Sequence, residues 1–519
     1  MGDCVERPRM EASFGHLQGQ AKVRRKLDVR IIPWAWCIGV ISYLDRTNLA
    51  FASVTLARDL GFDCATYGIA SGLFFVGYGV FQVPSVDMYS RWGVPWLVGT
   101  VVMWGAVAVS FAAVRSRGAF FILRIVLGAV EAGTYPIILS WLSQFYDERS
   151  VGTAYSMAAS STALASVVGS PIAASILLLD GVMGFSGWQF LFMIEGVLSM
   201  TFGCYVFFFM PRRIEDVLDD DELRMLGHRR TGADGPHQER GSGHLMEVMR
   251  SWRPHYLGVV FALVLLSMYG CIFFIPLLIN SFLAGTTAST YGGSTRTAAS
   301  CDGEGGDGEA ATSVVAVLLS AIPFATAAIS MILIGKSSER TGERRYHGSI
   351  SVLVGALLMG CLALATALGA PAVVLIVLLS SSAAGIWGVH APLVSWPYAF
   401  LPPKQASAAF AVTNSWGSLG GFLGPSILGM LAQTTGSYSA SLGFLAAGGV
   451  AAAIMLYLFD PPAAGKDAAS AAEEHDRKQL LARHLNLKPE EADIVDSRRE
   501  GRLGLGVGLA QAGRASAPP

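Results

Sequence analysis

Charged side chains interrupt two apolar stretches early in the chain. Asp45 and Arg46 are adjacent within "ISYLDRTNLAF", and Arg124 and Glu131 begin and end "RIVLGAVE". An ionisable group in the middle of a membrane-spanning helix costs at least about 2.5–3.5 kcal/mol, so residues of this kind are functional candidates. Because seven residues make two helical turns, Arg124 and Glu131 are expected on the same helix face.

These four charges suit two kinds of ligand. A guanidinium stays ionised and binds a carboxylate through two parallel hydrogen bonds, so Arg46 and Arg124 are predicted to bind an anion. The protonation of a buried carboxyl group depends on its burial and on nearby arginines, so Asp45 and Glu131 are predicted to carry protons. An anion and a proton would then favour each other's binding. The alternative is that the four side chains only pair with one another and hold helices together.

The rise of a helix places these groups at comparable depths. At about 1.5 Å per residue, Asp45 and Arg46 lie ~22–24 Å from the point where their span begins. On the same basis Arg124 lies about 9 Å and Glu131 about 20 Å from the opposite membrane surface. Arg124 is therefore expected to be level with the Asp45–Arg46 pair, and Glu131 deeper.

Other polar residues in apolar segments are expected to have other roles. Glu195 is expected to have a packing role, and Asp87 to belong to the loop that follows it. His390 fits a histidine buried between helices better than a proton relay. Three neutral residues complete the predicted substrate site: Tyr43, Tyr78 and Asn414.

The composition indicates which elements position these residues. The chain has 519 residues, of which 52% are hydrophobic and 14% charged, whereas soluble proteins have about 25% charged residues. A span needs about 20 mainly apolar residues. We therefore predict an all-α membrane protein with twelve transmembrane helices, at approximately 31–51, 67–89, 94–114, 119–142, 151–179, 188–210, 255–282, 313–336, 346–368, 372–399, 404–433 and 437–459.

The spans fall into two groups of six. The expected parts are an N-terminal tail (1–30), a first bundle (31–210), a central loop (211–254), a second bundle (255–459) and a tail expected to be disordered (460–519). The central loop has eight arginines, whereas the flexible outer loop predicted at 283–312 has one arginine and no lysine. By the positive-inside rule, both termini are predicted to be cytoplasmic.

Two short loops at the same place in the two halves resemble each other. The second loop is "GKSSERTGERR" (335–345). The first loop, "VDMYSRWGVPW" (86–96), shares only the arginine and the glycine of that pattern, at Arg91 and Gly93. Duplicated halves are typical of transporters. A gating role is predicted for these residues, with a solvated turn as the alternative; in the second loop they are Gly335, Glu339, Arg340, Gly342 and Arg345.

No pattern indicates an enzyme. The seven cysteines include no CxxC pair, which argues against a zinc site, and neither a nucleophile–base pair nor a set of metal ligands is visible. We therefore expect no metal, no cofactor and no nucleic-acid partner. Cys64 and Cys301 both fall in predicted outer loops; free thiols are expected there, and a disulfide is left open.

Several stretches together resemble the anion:cation symporter family of the major facilitator superfamily. They include "YLDRTNLAFA", "RIVLGAVEAGTYPIILSWLSQFYDERSVGTAYS", "GWQFLFMIEG" and "NSWGSLGGFLGP". The resemblance implies two six-helix halves, with Asp45, Arg46, Arg124 and Glu131 as substrate and proton sites. It is strongest to the microbial branch that handles tartrate, phthalate and other carboxylates. The chain departs from the family pattern at Val94 and in the tenth span, so the anion itself stays open.

We therefore expect proton-coupled symport of a small carboxylate by alternating access. The protein is expected to act as a monomer in the plasma membrane. Two alternatives remain: a sodium- or potential-driven carrier of phosphate or organic anions, and a sensor without transport activity on the same fold.

Overall fold

The computed structural model describes residues 3–146, 151–225, 248–290, 307–396, 401 and 403–459. One compact unit comprises Met1–Tyr398 and Pro402–Phe459. A second, Ala399–Leu401 with Asp460–Pro519, lies outside the described residues except for Leu401. The predicted disordered tail and the central part of the predicted 283–312 loop also lie outside them.

Every long regular element in the described part of the chain is an α-helix, and no strand occurs there. In chain order the helices are α1 (Asp3–Leu60), α2 (Cys64–Trp92), α3 (Val94–Phe111), α4 (Arg117–Glu131), α5 (Thr134–Leu142), α6 (Val151–Leu177), α7 (Gly187–Phe209), α8 (Asp220–Met225), α9 (Trp252–Thr290), α10 (Asp307–Leu319), α11 (Ala321–Thr341), α12 (Arg345–Ala367), α13 (Ala372–Gly388), α14 (His390–Ser395), α15 (Pro403–Thr435) and α16 (Tyr438–Leu458). We refer to α1–α7 as the first half and to α9–α16 as the second half.

The predicted all-α membrane fold is confirmed. Eleven helical segments among the described residues are long and apolar enough to cross a membrane. Helix α15 coincides with the remaining predicted span, 404–433, but is not among the eleven. Glycine, serine and asparagine lower its hydropathy, and it packs between α2 and α9.

Several elements differ from their predicted bounds; the eighth and tenth spans, for example, are each divided into two helices. Helix α1 continues without a break from Asp3 to Leu60, so the predicted 1–30 tail is largely helical. Helices α9 and α10 extend into the predicted 283–312 loop from both ends. The fourth span is broken between α4 and α5, because Gly133 adopts a left-handed conformation with φ of 83°, which glycine adopts without steric cost.

Small residues let the helices of the two halves approach closely. A Cβ added at Gly72 of α2 would lie 2.6 Å from the carbonyl oxygen of Phe422 in α15. Within the first half, a Cβ at Gly105 of α3 would lie 2.6 Å from the carbonyl oxygen of Gly196 in α7. Membrane helices lack a hydrophobic driving force between them, so close backbone contact of this kind stabilises their association.

The two halves meet tightly at one end of the bundle. The N-terminal face is the end of the bundle at which α1 enters it. The opposite face is the end that contains the turn between α1 and α2. Near the opposite face the Tyr67 hydroxyl donates to the carbonyl of Phe273, 2.8 Å away. There too the Cys64 N–H donates to Oε1 of Gln433, at 3.1 Å. These contacts join α2 to α9 and α15, so the two halves are in contact at the opposite face.

Candidate functional site

A cavity of about 90 Å³ lies between the two halves. Helices α1, α2, α5 and α6 supply one wall, and α9, α11, α13, α14 and α15 supply the other. Among its described lining residues, Arg46 is the one that carries a permanent charge. The cavity therefore combines an interface between two halves with a single positive group, an arrangement suited to an anion.

Arg46 reaches both halves from α1. Its Nη2 donates to Glu131 Oε2 at 3.1 Å, and its Nη1 donates to the Tyr269 hydroxyl at 3.3 Å. The guanidinium also lies 4.9 Å from the ring centroid of Tyr78 and 5.0 Å from that of Phe74. Its side chain is 12% exposed, so the Arg46 guanidinium is held by two partners and still faces the cavity.

Two carboxylates lie behind Arg46. Asp45 and Glu131 are both fully buried, and their side chains interact with each other. Neither carboxylate oxygen of Asp45 has a hydrogen-bond partner among the described residues. The same is true of Oε1 of Glu131. Because two ionised carboxylates repel at short range, a proton held between them would supply the missing donor.

Arg124 occupies a different position from Arg46. It is fully buried and does not line the cavity. Its Nε donates to the carbonyl of Ala70 at 3.3 Å, and its guanidinium lies 5.2 Å from the ring centroid of Phe74. Its two terminal nitrogens have no hydrogen-bond partner among the described residues, although Asp45 and Glu131 are within electrostatic range. The structure thus groups Arg124 with the two carboxylates.

The break in the fourth span brings Glu131 next to the cavity. Glu131 is the last residue of α4, and the Thr134 hydroxyl at the start of α5 donates to its carbonyl at 2.8 Å. A Cβ on Gly133 would lie 2.8 Å from the Ser85 side chain of α2. Thr134 and the next residue of α5 line the cavity, whereas Glu131 reaches Arg46 from just behind it.

The neutral candidates all line the cavity. Tyr43 and Tyr78 belong to the wall of the first half, and Asn414 to that of the second half. Tyr269 and Trp387 also line the cavity, although neither was among the predicted site residues. Tyr269 could have been predicted in the same way as Tyr43, since it also carries a hydroxyl in the middle of an apolar span. An indole in an apolar helix offers no such signal.

Glu195 has a partner that the sequence did not indicate. The side-chain amide of Asn48 in α1 donates to Oε2 of Glu195 in α7. Both side chains are buried, and neither lines the cavity. The pair links two helices of the first half and lies close enough to Asp45 to interact with it electrostatically.

The loop of the first half at the N-terminal face has one ion pair. Arg91 pairs with Asp87 one turn earlier on α2, with Nη2 and Oδ2 2.6 Å apart and both side chains exposed. Gly93 follows, with φ of 63°, and separates α2 from α3.

The loop of the second half forms a turn between α11 and α12. Gly342 ends α11 with φ of 67°, and its N–H donates to the carbonyl of Glu339. Arg340 lies in the last turn of α11. A Cβ on Gly335 would lie 3.0 Å from Ala391, and the Arg345 guanidinium lies 5.0 Å from the ring centroid of Tyr457.

Glu343 in the same turn accepts hydrogen bonds from the start of α12. Its Oε1 accepts from the N–H of Tyr346 at 2.8 Å, and its Oε2 from the N–H of His347 at 3.2 Å. Partial burial acts to raise the pKa of Glu343, but these donors and the His347 ring outweigh it, and the net pKa is lowered.

The described residues contain no group of three or more side chains able to hold a metal ion. Cys64 is disulfide-bonded, so the expectation of a free thiol at this position is wrong. Its partner lies outside the described side chains, as does Cys301, for which a disulfide with Cys64 was left open. Four cysteines among the described residues are free thiols: Cys37, Cys204, Cys271 and Cys361.

Known proteins resemble this chain over most of its length. A family model described as Major Facilitator Superfamily matches residues 35–425 and also 309–502. An Agrobacterium vitis protein named "Putative tartrate transporter" is 33% identical over 431 residues, covering 82% of this chain and 89% of that protein. The "Putative metabolite transport protein NicT" of Pseudomonas putida is 31% identical over 433 residues, covering 82% and 91%. The Escherichia coli xylose transporter XylE, in a partially occluded inward-open conformation, has the same fold, with a TM-score of 0.63, 15% identity, and coverage of 83% and 98%.

Proposed function

Because this chain belongs to the major facilitator superfamily, whose members are membrane transporters and not enzymes, we propose that it carries a small carboxylate together with a proton by alternating access. The observation that carries this proposal is the position of Arg46. It is the charged residue on the described cavity wall, and it contacts Glu131 of the first half and Tyr269 of the second.

Coupling follows from competition for Arg46. A substrate carboxylate that binds the guanidinium in a bidentate manner must displace at least part of the contact with Glu131. Glu131 then loses its positive neighbour inside a buried site, which favours its protonated form. Asp45 interacts with the Glu131 side chain, so Asp45 and Glu131 together hold the coupled proton. Arg124, beside them, limits the negative charge when neither acid is protonated.

The names of the relatives support a carboxylate as the substrate. Tartrate, in the name of the Agrobacterium vitis protein, is a dicarboxylate. We further propose that the N-terminal face is cytoplasmic, as the arginines of the central loop suggest. Both termini then lie in the cytoplasm of a protein that acts as a monomer in the plasma membrane.

Uptake into proteoliposomes tests the proposal. Purified protein should accumulate a labelled carboxylate when the outside is more acidic than the inside, and a protonophore should abolish the accumulation. Replacing sodium by potassium should change nothing. Uptake that depends on sodium and ignores the protonophore would instead support a sodium-driven carrier. A protein that binds carboxylates but never moves them would be a sensor on the same fold.

Glu131→Gln separates coupling from binding. An amide at this position can still accept a hydrogen bond from Arg46 but cannot carry a proton. We expect this variant to exchange labelled for unlabelled carboxylate across the membrane while losing proton-driven accumulation. Loss of both activities in well-folded Glu131→Gln protein would contradict a coupling role for Glu131.

A further inference from the structure

Glu195 is a buried acid that the proposed mechanism does not use. It lies on α7, is 6% exposed, and is eight residues from the start of the helix at Gly187, or about 12 Å along the helix axis. Its Oε2 accepts a hydrogen bond from the side-chain amide of Asn48 on α1. The helices that pack most closely against α7 are α1, α3 and α6, and neither α3 nor α6 contains an acidic or basic residue. The charged groups that face Glu195 from these helices therefore belong to α1.

Asp45 connects Glu195 to the substrate site. Asp45 and Asn48 are three residues apart on α1 and so lie on the same helix face. Asp45 is within electrostatic range of Glu195 and also interacts with Glu131. Asn48 lies about 4.5 Å further than Asp45 along α1 towards the opposite face. The three acids thus form a series that begins nearer the opposite face and ends beside Arg46.

The charges of this series balance only if one of the acids carries a proton. Arg46 and Arg124 supply two positive charges, whereas Asp45, Glu131 and Glu195 supply three negative charges when all are ionised. An uncompensated buried charge is strongly destabilising. Arg46 pairs with Glu131, and Arg124 is within electrostatic range of Asp45 and Glu131. Glu195 makes no ion pair with the described residues and is held by a neutral amide, so it is the acid best placed to hold the proton while the cavity is empty.

Unpartnered oxygens on α1 favour transfer of this proton to Asp45. Both carboxylate oxygens of Asp45 and Oδ1 of Asn48 are buried without a hydrogen-bond partner among the described residues. All three are acceptors, so a proton delivered from Glu195 gives Asp45 the donor that it lacks. The step breaks the O–H bond of Glu195 and forms one on Asp45, directly or through one bridging water, and no electrons are transferred. A substrate carboxylate on Arg46 adds negative charge beside Asp45 and so draws the proton in that direction.

We propose that Glu195 is a third proton-carrying residue, which holds a proton while the cavity is empty and passes it to Asp45 when a substrate carboxylate binds Arg46. The transfer rests on the proposed function, since it requires Arg46 to be the carboxylate site. The location of the proton in the empty protein does not. Glu195 is then protonated again from the opposite face, to which it lies closer than Asp45 does.

Infrared spectroscopy of the purified full-length protein without ligand tests where the proton is held. A protonated carboxyl group gives a carbonyl stretching band that a carboxylate lacks. At pH 7 we expect this band from the unmodified protein and its loss in Glu195→Gln. Asp59→Asn is the matched control and should keep the band, because Asp59 joins the same two helices by accepting a hydrogen bond from Trp188 Nε1 at 2.9 Å. Absence of the band from the unmodified protein, or its persistence in Glu195→Gln, would overturn the proposal.

Uptake into proteoliposomes tests the transfer, with labelled tartrate, succinate and lactate as probes. We expect Glu195→Gln to slow proton-driven uptake by about tenfold or more. Exchange of labelled for unlabelled acid should be unchanged, because it needs no net movement of protons. Glu195→Asp, which keeps an acid, should recover most of the uptake rate. A purely structural role predicts no loss in Glu195→Gln, since glutamine has the shape of the protonated acid and still accepts a hydrogen bond from Asn48.

The outcomes separate this proposal from the proposed function. An unchanged rate of proton-driven uptake in Glu195→Gln would overturn the transfer and leave carboxylate–proton symport standing. Equal slowing of uptake and exchange would show a structural role and would also overturn the transfer. If the unmodified protein accumulated none of the three acids, the proposed function would fail and the transfer with it. The infrared band of the unmodified protein would still decide whether a proton is held in the empty protein.

Discussion

Arg46 is occupied before any substrate arrives. Its two terminal nitrogens contact Glu131 and Tyr269, which belong to different halves of the structure. A substrate that takes over the guanidinium therefore alters a contact within the first half and a contact between the halves. In the proposed mechanism, proton binding and movement of the halves both respond to one carboxylate because they share this side chain.

Arg46→Lys tests the need for a guanidinium. A lysine keeps the charge but loses the planar pair of donors that matches a carboxylate. We expect the half-saturating carboxylate concentration for uptake to rise by about tenfold or more, since a charge-assisted hydrogen bond contributes about 1.5–3 kcal/mol. Arg58→Lys is the matched control, because Arg58 is partly exposed and pairs with Asp59 and Asp180. An unchanged uptake curve for Arg46→Lys would remove Arg46 from the substrate site.

The Asn48–Glu195 pair contributes to stability. Asn48→Leu leaves a buried Glu195 oxygen without its donor, which costs about 1–3 kcal/mol. We expect a lower thermal unfolding midpoint in detergent. The double variant Asn48→Leu/Glu195→Leu should recover part of the loss, because both polar groups are then absent. A double variant that unfolds at or below the midpoint of Asn48→Leu alone would show that the pair does not stabilise the protein in this way.

At the scale of single elements, backbone breaks determine where the charges lie. An uninterrupted fourth span was expected from the sequence, yet α4 ends at Glu131 and α5 begins at Thr134. The signal was the glycine at 133, but glycine is also common inside membrane helices for close packing. The sequence therefore predicted which residues lie near Arg46. It could not predict that Gly133, with its left-handed backbone conformation, helps to place Glu131 beside Arg46.

Gly133→Ala tests this break. A side chain at φ of 83° is strained, and its Cβ would lie 2.8 Å from the Ser85 side chain. We expect a destabilisation of about 1–3 kcal/mol, seen as a lower unfolding midpoint, together with weaker carboxylate binding as Glu131 shifts. Gly118→Ala is the control, since no atom lies within 4 Å of a Cβ there and alanine favours a helix. Equal effects of the two substitutions would contradict a special role for Gly133.

Glu343 makes the turn before α12 sensitive to acid. Its carboxylate accepts hydrogen bonds from two N–H groups at the start of that helix, and its pKa is lowered. A lowered pKa in the folded protein means that the carboxylate stabilises the turn at neutral pH. This contribution is lost as the pH falls through that lowered pKa.

Glu343→Gln should therefore lower the unfolding midpoint at pH 7. The difference from the unmodified protein should shrink as the pH falls below 4.5, the ordinary pKa of a glutamate. Asp221→Asn, at an exposed position paired with Arg224, is expected to have little effect at either pH. A difference for Glu343→Gln that stays constant with pH would show that this carboxylate does not provide the stabilisation.

At the scale of the whole molecule, apolar segments of span length were sufficient to predict the helical membrane fold. They were not sufficient to predict the wall of the second half. Phe261, Leu265 and Met268 face the cavity, but the same residue types cover the lipid-facing surfaces of neighbouring helices. Charges in a membrane are costly and so stand out in a sequence. Apolar residues do not, and only packing shows which of them face a cavity.

We expect the close packing of α2 against α15 to hold the opposite face closed. Gly72→Leu would place a large side chain where a Cβ alone would lie 2.6 Å from the Phe422 carbonyl oxygen. The two helices must then separate near the opposite face, and the equilibrium shifts towards a state open on that side. Gly99→Leu is the control, since a Cβ at this exposed position meets no atom within 4 Å.

Distances between spin labels at Ala113 and Thr434 measure this shift, in a background where Cys204 and Cys361 are replaced. The two labelled sites lie near the opposite face, in the first half and at the end of α15. We expect Gly72→Leu to add a longer distance to the distribution and to slow uptake, while Gly99→Leu changes neither. If the distance distribution stays the same in folded Gly72→Leu protein, close glycine packing does not hold the opposite face closed. The contacts of Tyr67 and Cys64 with α9 and α15 would then be the contacts that do so.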